Sequence, residues 1–200
     1  MSKAAVPDRT PVVLGSSSPY RRELLSRLGI PFQVHAPEID ESRVAEETPR
    51  DLALRLAVEK ARAVSRLFPN AIVIGSDQVA HSGPEIFGKP GTEAKAIAQL
   101  QAMSGKTVTF ESALCVIDPR TGNHDVDSVP TEITFRALSA REIASYVERE
   151  PAFNCAGSAK LEGLGITLIS RMRADDPTAI IGLPLVRLCQ MLTDAGLRVL

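Results

Sequence analysis

Apolar positions along this chain recur in two rhythms, and the switches between them mark its elements. An apolar stub at 12–13 runs into L-G-S-S-S-P-Y-R-R, so a short strand ends in a glycine and three hydroxyls. Pro19 suits the first turn of a following helix, where its missing N–H would be unpaired anyway, and 20–28 supplies that helix. A second short strand is expected at 32–35. Thr48-Pro49-Arg50-Asp51 then opens a long helix with a capping hydroxyl, a proline and an acid in its first turn. Its apolar stripe is Ala53, Leu56, Ala57, Ala61 and Val64. Residues 71–75 are apolar on both faces, which marks a strand central in a sheet and ending at Ser76-Asp77-Gln78. Further on, a short strand is expected at 85–87 and a helix at 92–103. Two long strands at 107–117 and about 125–135 are joined by the turn Pro119-Arg120-Thr121-Gly122. Ser139-Ala140-Arg141-Glu142 is a capping box that starts a helix running to Arg149. A glycine-rich connection leads into a strand at 166–169, and a last helix starts near Pro184. The sum is an α/β fold with a mixed sheet and a long hairpin. No change of composition divides the 200 residues, so one domain spanning 1–200 is expected.

Composition narrows the function. Hydrophobic residues make up 44% and charged residues 24%, ordinary for a globular chain with a real core. The formal net charge of −1 lacks the basic excess that binding a nucleic-acid polymer requires. Aromatic content of 4% argues against a stacking platform for single strands. Cys115, Cys155 and Cys189 are far apart and form no C-x-x-C pair, so reduced cytosolic thiols are the expectation. The first ten residues have no apolar signal region, and no apolar run approaches the ~20 residues of a membrane span. A soluble, cytoplasmic protein is expected.

Candidate chemistry concentrates at strand ends. The start of the first helix offers backbone N–H groups, serine hydroxyls and the forks of Arg21 and Arg22, a setting for phosphate. Neither G-x-x-x-x-G-K-[ST] nor G-x-G-x-x-G is present. Ser104-Gly105-Lys106-Thr107 ends like the former, but its first glycine is replaced by Leu100 and it joins a helix to a strand. Asp77 lies beyond a central strand, where open α/β sheets bind ligands. It suits a divalent cation or a water, with a plain turn cap as the alternative. Glu38-Ile39-Asp40-Glu41 offers further carboxylates, or is a solvated loop. Lys60 falls on the inward stripe of the long helix. Pattern alone favours a packed stem with its ammonium snorkelling outward, over a head that reaches a phosphate or carboxylate. Lys89, held between Gly88 and Pro90, is a phosphate-binding point charge or a surface lysine. His35, His81 and His124 form no zinc pattern. This inventory suits phosphate-anhydride chemistry assisted by a metal.

In order and spacing, S-S-S-P-Y-R-R-E-L-L, E-I-D-E, L-A-V-E-K-A, G-S-D-Q-V, G-K-P, A-G-S-A-K-L-E-G-L-G and I-G-L-P-L resemble the Maf family of nucleoside triphosphate pyrophosphatases over nearly the whole chain. The resemblance implies a mixed twisted sheet in two lobes with helices around it and a central cleft, similar to inosine triphosphatases. It also implies release of pyrophosphate with a divalent cation, magnesium or manganese. It assigns Asp77 as catalytic acid/base, Ser16, Ser18, Arg21, Lys60 and Lys89 to the phosphates, and Glu41 with Asp77 to the metal. That gives Lys60 a functional place and reverses the preference for snorkelling. Tyr20, Gln78 and Glu162 occupy the variable positions and look like the subgroup acting on 7-methyl-GTP. Members acting on dTTP and UTP carry Arg, Thr and Gln there instead. N7-methylation makes guanine cationic, which an aromatic face and a carboxylate both favour. Tyr20 stands where Trp is usual in that subgroup, and tyrosine is the weaker cation–π partner. The implied partner is a small nucleotide, with a homodimer left open and neither nucleic-acid polymer nor membrane involved. A dTTP/UTP or other modified-nucleotide enzyme and a non-catalytic nucleotide sensor tied to cell division are the competing readings.

Overall fold

The computed structural model describes residues 10–200; the N-terminal stretch read above for a signal region lies almost wholly outside them, at 1–9. One mixed sheet holds seven strands: β1 (Val12–Gly15), β2 (Gln33–His35), β3 (Ile72–Ser82), β4 (Glu85–Phe87), β5 (Thr107–Ile117), β6 (His124–Phe135) and β7 (Ile169–Ala174). Their order is β2-β1-β3-β5-β6-β7, with β4 paired to the far end of β3. β1 is parallel to both β2 and β3, and the other pairings are antiparallel. The helices are α1 (Pro19–Ser26), α2 (Pro49–Ser65), α3 (Glu93–Met103), α4 (Ala140–Arg149) and α5 (Leu185–Asp194). Caps foreseen at Thr48 and Ser139 are present, the latter as a full capping box with Glu142.

Two expectations are corrected. The central strand does not stop at Gly75. It continues through Ser76, Asp77 and Gln78 because these pair with Leu114, Ala113 and Ser112 of β5, and ladder pairing overrides their polar character. The strand expected at 166–169 is a 3₁₀ turn at Leu164–Leu168, and β7 begins only at Ile169. β7 is an exposed edge strand whose polar sequence, I-S-R-M-R-A, carries no alternating signal.

The extended β3 explains the cleft. β5 covers one of its edges from Val73 to His81. On the other edge β1 stops at Gly75 and β4 starts at Ala80, so residues 76–79 are left open between them. Strand alternation sends the two faces of this gap to different tasks. One face, with Val73, Val79, Ala113 and Cys115, packs under α2. The other face carries one core around Ile72, Ile74 and Leu114, under α1 and α5, and a second around Ala80 and Phe110, near α3 and α4. Between these two cores lies a polar belt of Ser76, Gln78 and Ser112. The two lobes therefore share one sheet and part at this belt.

Candidate active site

Helix α2 crosses β3 at Gly75, where a Cβ would fall on the carbonyl of Ala57 and the backbone of Ala61. This close approach places Lys60 directly beside the next residue on the same face, Asp77. Lys60 is only 6% exposed, and its Nζ lies 2.6 Å from Asp77 Oδ1 and 2.8 Å from Glu41 Oε1. It does not snorkel. Asp77 is 8% exposed, whereas the Glu41 side chain is 54% exposed on the loop before α2. Burial works against the charged form of Glu41, but the hydrogen bond and charge of Lys60, with the charges of Lys89 and Arg21, hold its carboxyl below the usual range.

The S-S-S loop is organised by its own hydroxyls. Ser16 Oγ accepts from Ser18 N at 3.1 Å, and Ser18 caps α1 by accepting from Arg21 N at 3.4 Å. Both hydroxyls act here as acceptors, which leaves each proton to donate to an anion. Arg21 enters the open edge of β3. Its Nη1 donates to the Ser76 carbonyl and its Nε to the Gly182 carbonyl, each at 2.9 Å. Burial pushes its pKa down while the charges of Asp77 and Glu41 oppose this, and a guanidinium so held stays cationic. Arg22, expected beside it, is exposed and does not line the cavity.

On the opposite face, Gln78 Nε2 donates to Ser112 Oγ and to the carbonyls of Ala179 and Ile180, at 2.9 to 3.1 Å. Ser112 Oγ must itself donate to the Ala179 carbonyl, 2.6 Å away. The amide orientation is thereby fixed, with nitrogen toward the carbonyls and Oε1 left as an acceptor. Buried Asp176 holds the 179–182 segment in place by accepting from Thr178 N and Val186 N. Gly182 needs its φ of 114° to present its carbonyl to Arg21 and to Ser76 Oγ. Sequence reading passed over Ser112, Asp176 and Gly182. A serine inside the apolar run of β5 and the glycine of I-G-L-P-L were the available signals.

Ser16, Ser18, Tyr20, Arg21, Glu41, Lys60, Asp77, Gln78, Lys89 and Glu162 line one cavity of about 570 Å³, whereas Glu38 and Asp40 of the acidic cluster do not. Its charges are graded. Arg21, Lys60 and exposed Lys89 face Asp77 and Glu41 at one end. Tyr20, Gln78 and Glu162 stand with Asn154 and Cys155 in the remaining wall. The Tyr20 hydroxyl has its pKa raised, first by burial and then by the neighbouring Cys155 thiol. Among the described residues, no three His, Cys, Asp or Glu side chains converge as a metal cage. Asp77 and Glu41 share a single ammonium, and two such carboxylates joined by phosphate oxygens make the hard, partly open donor set that magnesium prefers.

The fold and cavity together define an α/β protein whose cleft sets Arg21, Lys60 and Lys89 against Asp77 and Glu41 at one end and Glu162 at the other. The Maf-like protein family profile matches residues 11–195, and the chain belongs to that family. A protein of Cupriavidus metallidurans named 7-methyl-GTP pyrophosphatase is 56% identical over 94% of each chain. Proteins of the same name from Albidiferax ferrireducens and Methylobacillus flagellatus are 52% and 53% identical, covering 97% and 95% of this chain and 98% and 99% of theirs. Among solved structures, the Staphylococcus aureus Ham1 protein overlaps at a TM-score of 0.47 and 14% identity, over 64% of this chain and 72% of that one. No described helix is long and apolar enough to cross a membrane.

Proposed function

We propose that this chain hydrolyses 7-methyl-GTP to 7-methyl-GMP and pyrophosphate with a divalent cation, magnesium or manganese. One observation carries the reading. A single cavity joins a phosphate end, built from Ser16, Ser18, Arg21, Lys60 and Lys89 around Asp77, to a wall of an aromatic ring and two oxygen acceptors. The relatives above, at 52–56% identity, bear the name of that activity. Gln78 Oε1 and the Glu162 carboxylate suit the N–H donors of guanine, and the Tyr20 ring suits its positive charge once methylated. Uracil and thymine offer a single N–H donor and no such charge. The substrate is a free nucleotide rather than a polymer, in keeping with the net charge of −1, and the reaction is assigned to the cytoplasm.

In the mechanism we assign, Asp77 orients a water at the α-phosphorus and takes its proton. Oxygen bonds to the α-phosphorus as the bridge to the β-phosphate breaks, and the pyrophosphate leaves with that bridging oxygen. Arg21 and Lys89 stabilise the charge that gathers on the departing oxygens, while Lys60 keeps the two carboxylates in register. Asp77 and Glu41 would hold the cation, which when bound neutralises phosphate oxygens and lowers the cost of departure.

The test is pyrophosphate release from 7-methyl-GTP, GTP, dTTP and UTP with magnesium or manganese. The highest kcat/KM is expected for 7-methyl-GTP. Faster turnover of dTTP or UTP, or tight nucleotide binding with no turnover, overturns the reading.

A further inference from the structure

Lys160 and Glu150 stand just behind the base-facing wall of the cavity, and neither lines it. Glu150 is the residue that ends α4. Its Oε2 accepts the backbone N–H of Leu164, and its Oε1 lies 3.2 Å from Lys160 Nζ. The fit is close: a Cβ on Gly163 would land on the Glu150 carboxylate. One turn earlier in α4, the Tyr146 hydroxyl accepts the backbone N–H of Lys160 at 3.0 Å. The end of α4 therefore grips the chain on both sides of Glu162. The grip also places a charge. Lys160 Nζ sits 5.8 Å from the centroid of the Tyr20 ring, so the ring that lines the cavity already has a cation beside it.

Two cations on one aromatic ring repel, and each weakens the pull of the ring on the other. A cationic base is therefore disfavoured at Tyr20 unless the ammonium behind it is cancelled. Glu150 supplies that cancellation at 3.2 Å, held there by its hydrogen bond from the Leu164 backbone N–H. We propose that the Glu150–Lys160 pair sets the charge preference of this end of the cavity, with Glu150 silencing the Lys160 ammonium so that Tyr20 accepts a positively charged purine. The inference rests on the substrate reading above. Glu150 and Lys160 are positioning residues, since neither reaches the nucleotide. Tyr20 and Glu162 already favour a charged base, but the nearby ammonium opposes that preference unless it is cancelled. The buttressing pair adds a term that depends on the charge of the base.

The experiment compares kcat/KM for 7-methyl-GTP with that for GTP, at low salt and below neutral pH, where the methylated base keeps its charge. Glu150→Gln exposes Tyr20 to an uncancelled ammonium, and the 7-methyl-GTP to GTP ratio is expected to fall roughly three- to tenfold. Lys160→Met leaves an uncancelled carboxylate, and the ratio is expected to rise about two- to fivefold. The double variant should return to the parent ratio, and high salt should shrink both single effects. A merely structural clamp predicts the opposite sign for Lys160→Met, because either change would loosen the loop and lower the ratio. An unchanged ratio in Lys160→Met, or a fall, overturns the inference even if Glu150→Gln fails to fold. A parent protein that turns over neither nucleotide overturns the substrate reading instead. A parent that prefers 7-methyl-GTP, with variants that keep its ratio, overturns only the charge pairing.

Discussion

Lys60 ties sequence pattern to chemistry at the scale of one side chain. Its position on the apolar stripe of α2 was legible, and so was its oddness there. The choice between snorkelling and pairing was not legible, because it depends on which residue of β3 passes beneath α2. The structure supplies Asp77 at 2.6 Å. The orientation of Gln78 was hidden for a similar reason, since it is set by Ser112 and by carbonyls about a hundred residues away in sequence. Most candidate residues were readable because their types and order are unusual, and ten of them reach one cavity, while Arg22, Glu38 and Asp40 do not. At this scale the sharpest prediction concerns Asp77. Asp77→Asn keeps the shape of the side chain, and Lys60 retains Glu41 as a partner. The variant is expected to fold, with a melting temperature close to that of the parent. Pyrophosphate release is expected to drop by about a hundredfold or more, the scale of a lost general base. A variant with parental turnover would remove Asp77 from the mechanism.

Elements were legible where one face is buried and the other is wet. The helix and cap signals of α2 and α4 are of this kind. β3 was misjudged at one end, because pairing extended it through polar residues, and β7 was expected too early, at 166–169, because an edge strand needs no apolar face. The crossing of α2 over β3 gives a stability prediction. Gly75→Ala forces a methyl group against the α2 backbone, and overpacking of this kind costs about 1–3 kcal/mol. Urea unfolding should show that loss, and turnover should fall with it, because the helix that moves carries Lys60. A second prediction belongs to α4. The Glu142 carboxyl is pulled down to about 2, first by the backbone N–H of Ser139, then by the Ser139 hydroxyl and Arg136. A depressed carboxyl stabilises the fold above its unfolded value, roughly 4.3, and that contribution is lost as pH falls toward the folded value. Urea midpoints followed down this acid range should decline, and Glu142→Gln should flatten the decline.

For the whole molecule, composition and alternation gave the fold class, whereas the division into lobes came from resemblance and not from any boundary in the sequence. The structure supplies the reason. β3 and β5 run through both lobes and pair with each other along their length, so no linker exists for composition to reveal. β3 and β5 each contribute to all three hydrophobic clusters. We therefore expect thermal unfolding to be a single transition, with calorimetric and van't Hoff enthalpies in agreement. Two resolved transitions would show that the lobes melt separately. The same shared strands govern how the cleft can respond to a nucleotide. β3 and β5 stay paired to each other from Val73 to His81 beneath the cavity, so we expect no rigid-body hinge between the lobes. Enclosure must come from the rim: the acidic loop that carries Glu41 and the glycine-rich segment that carries Glu162. On the proposed reading, the first of these loops would bear on the phosphates and the second on the base. We therefore expect the two ends of a nucleotide to be seated by separate loops over a shared, paired framework.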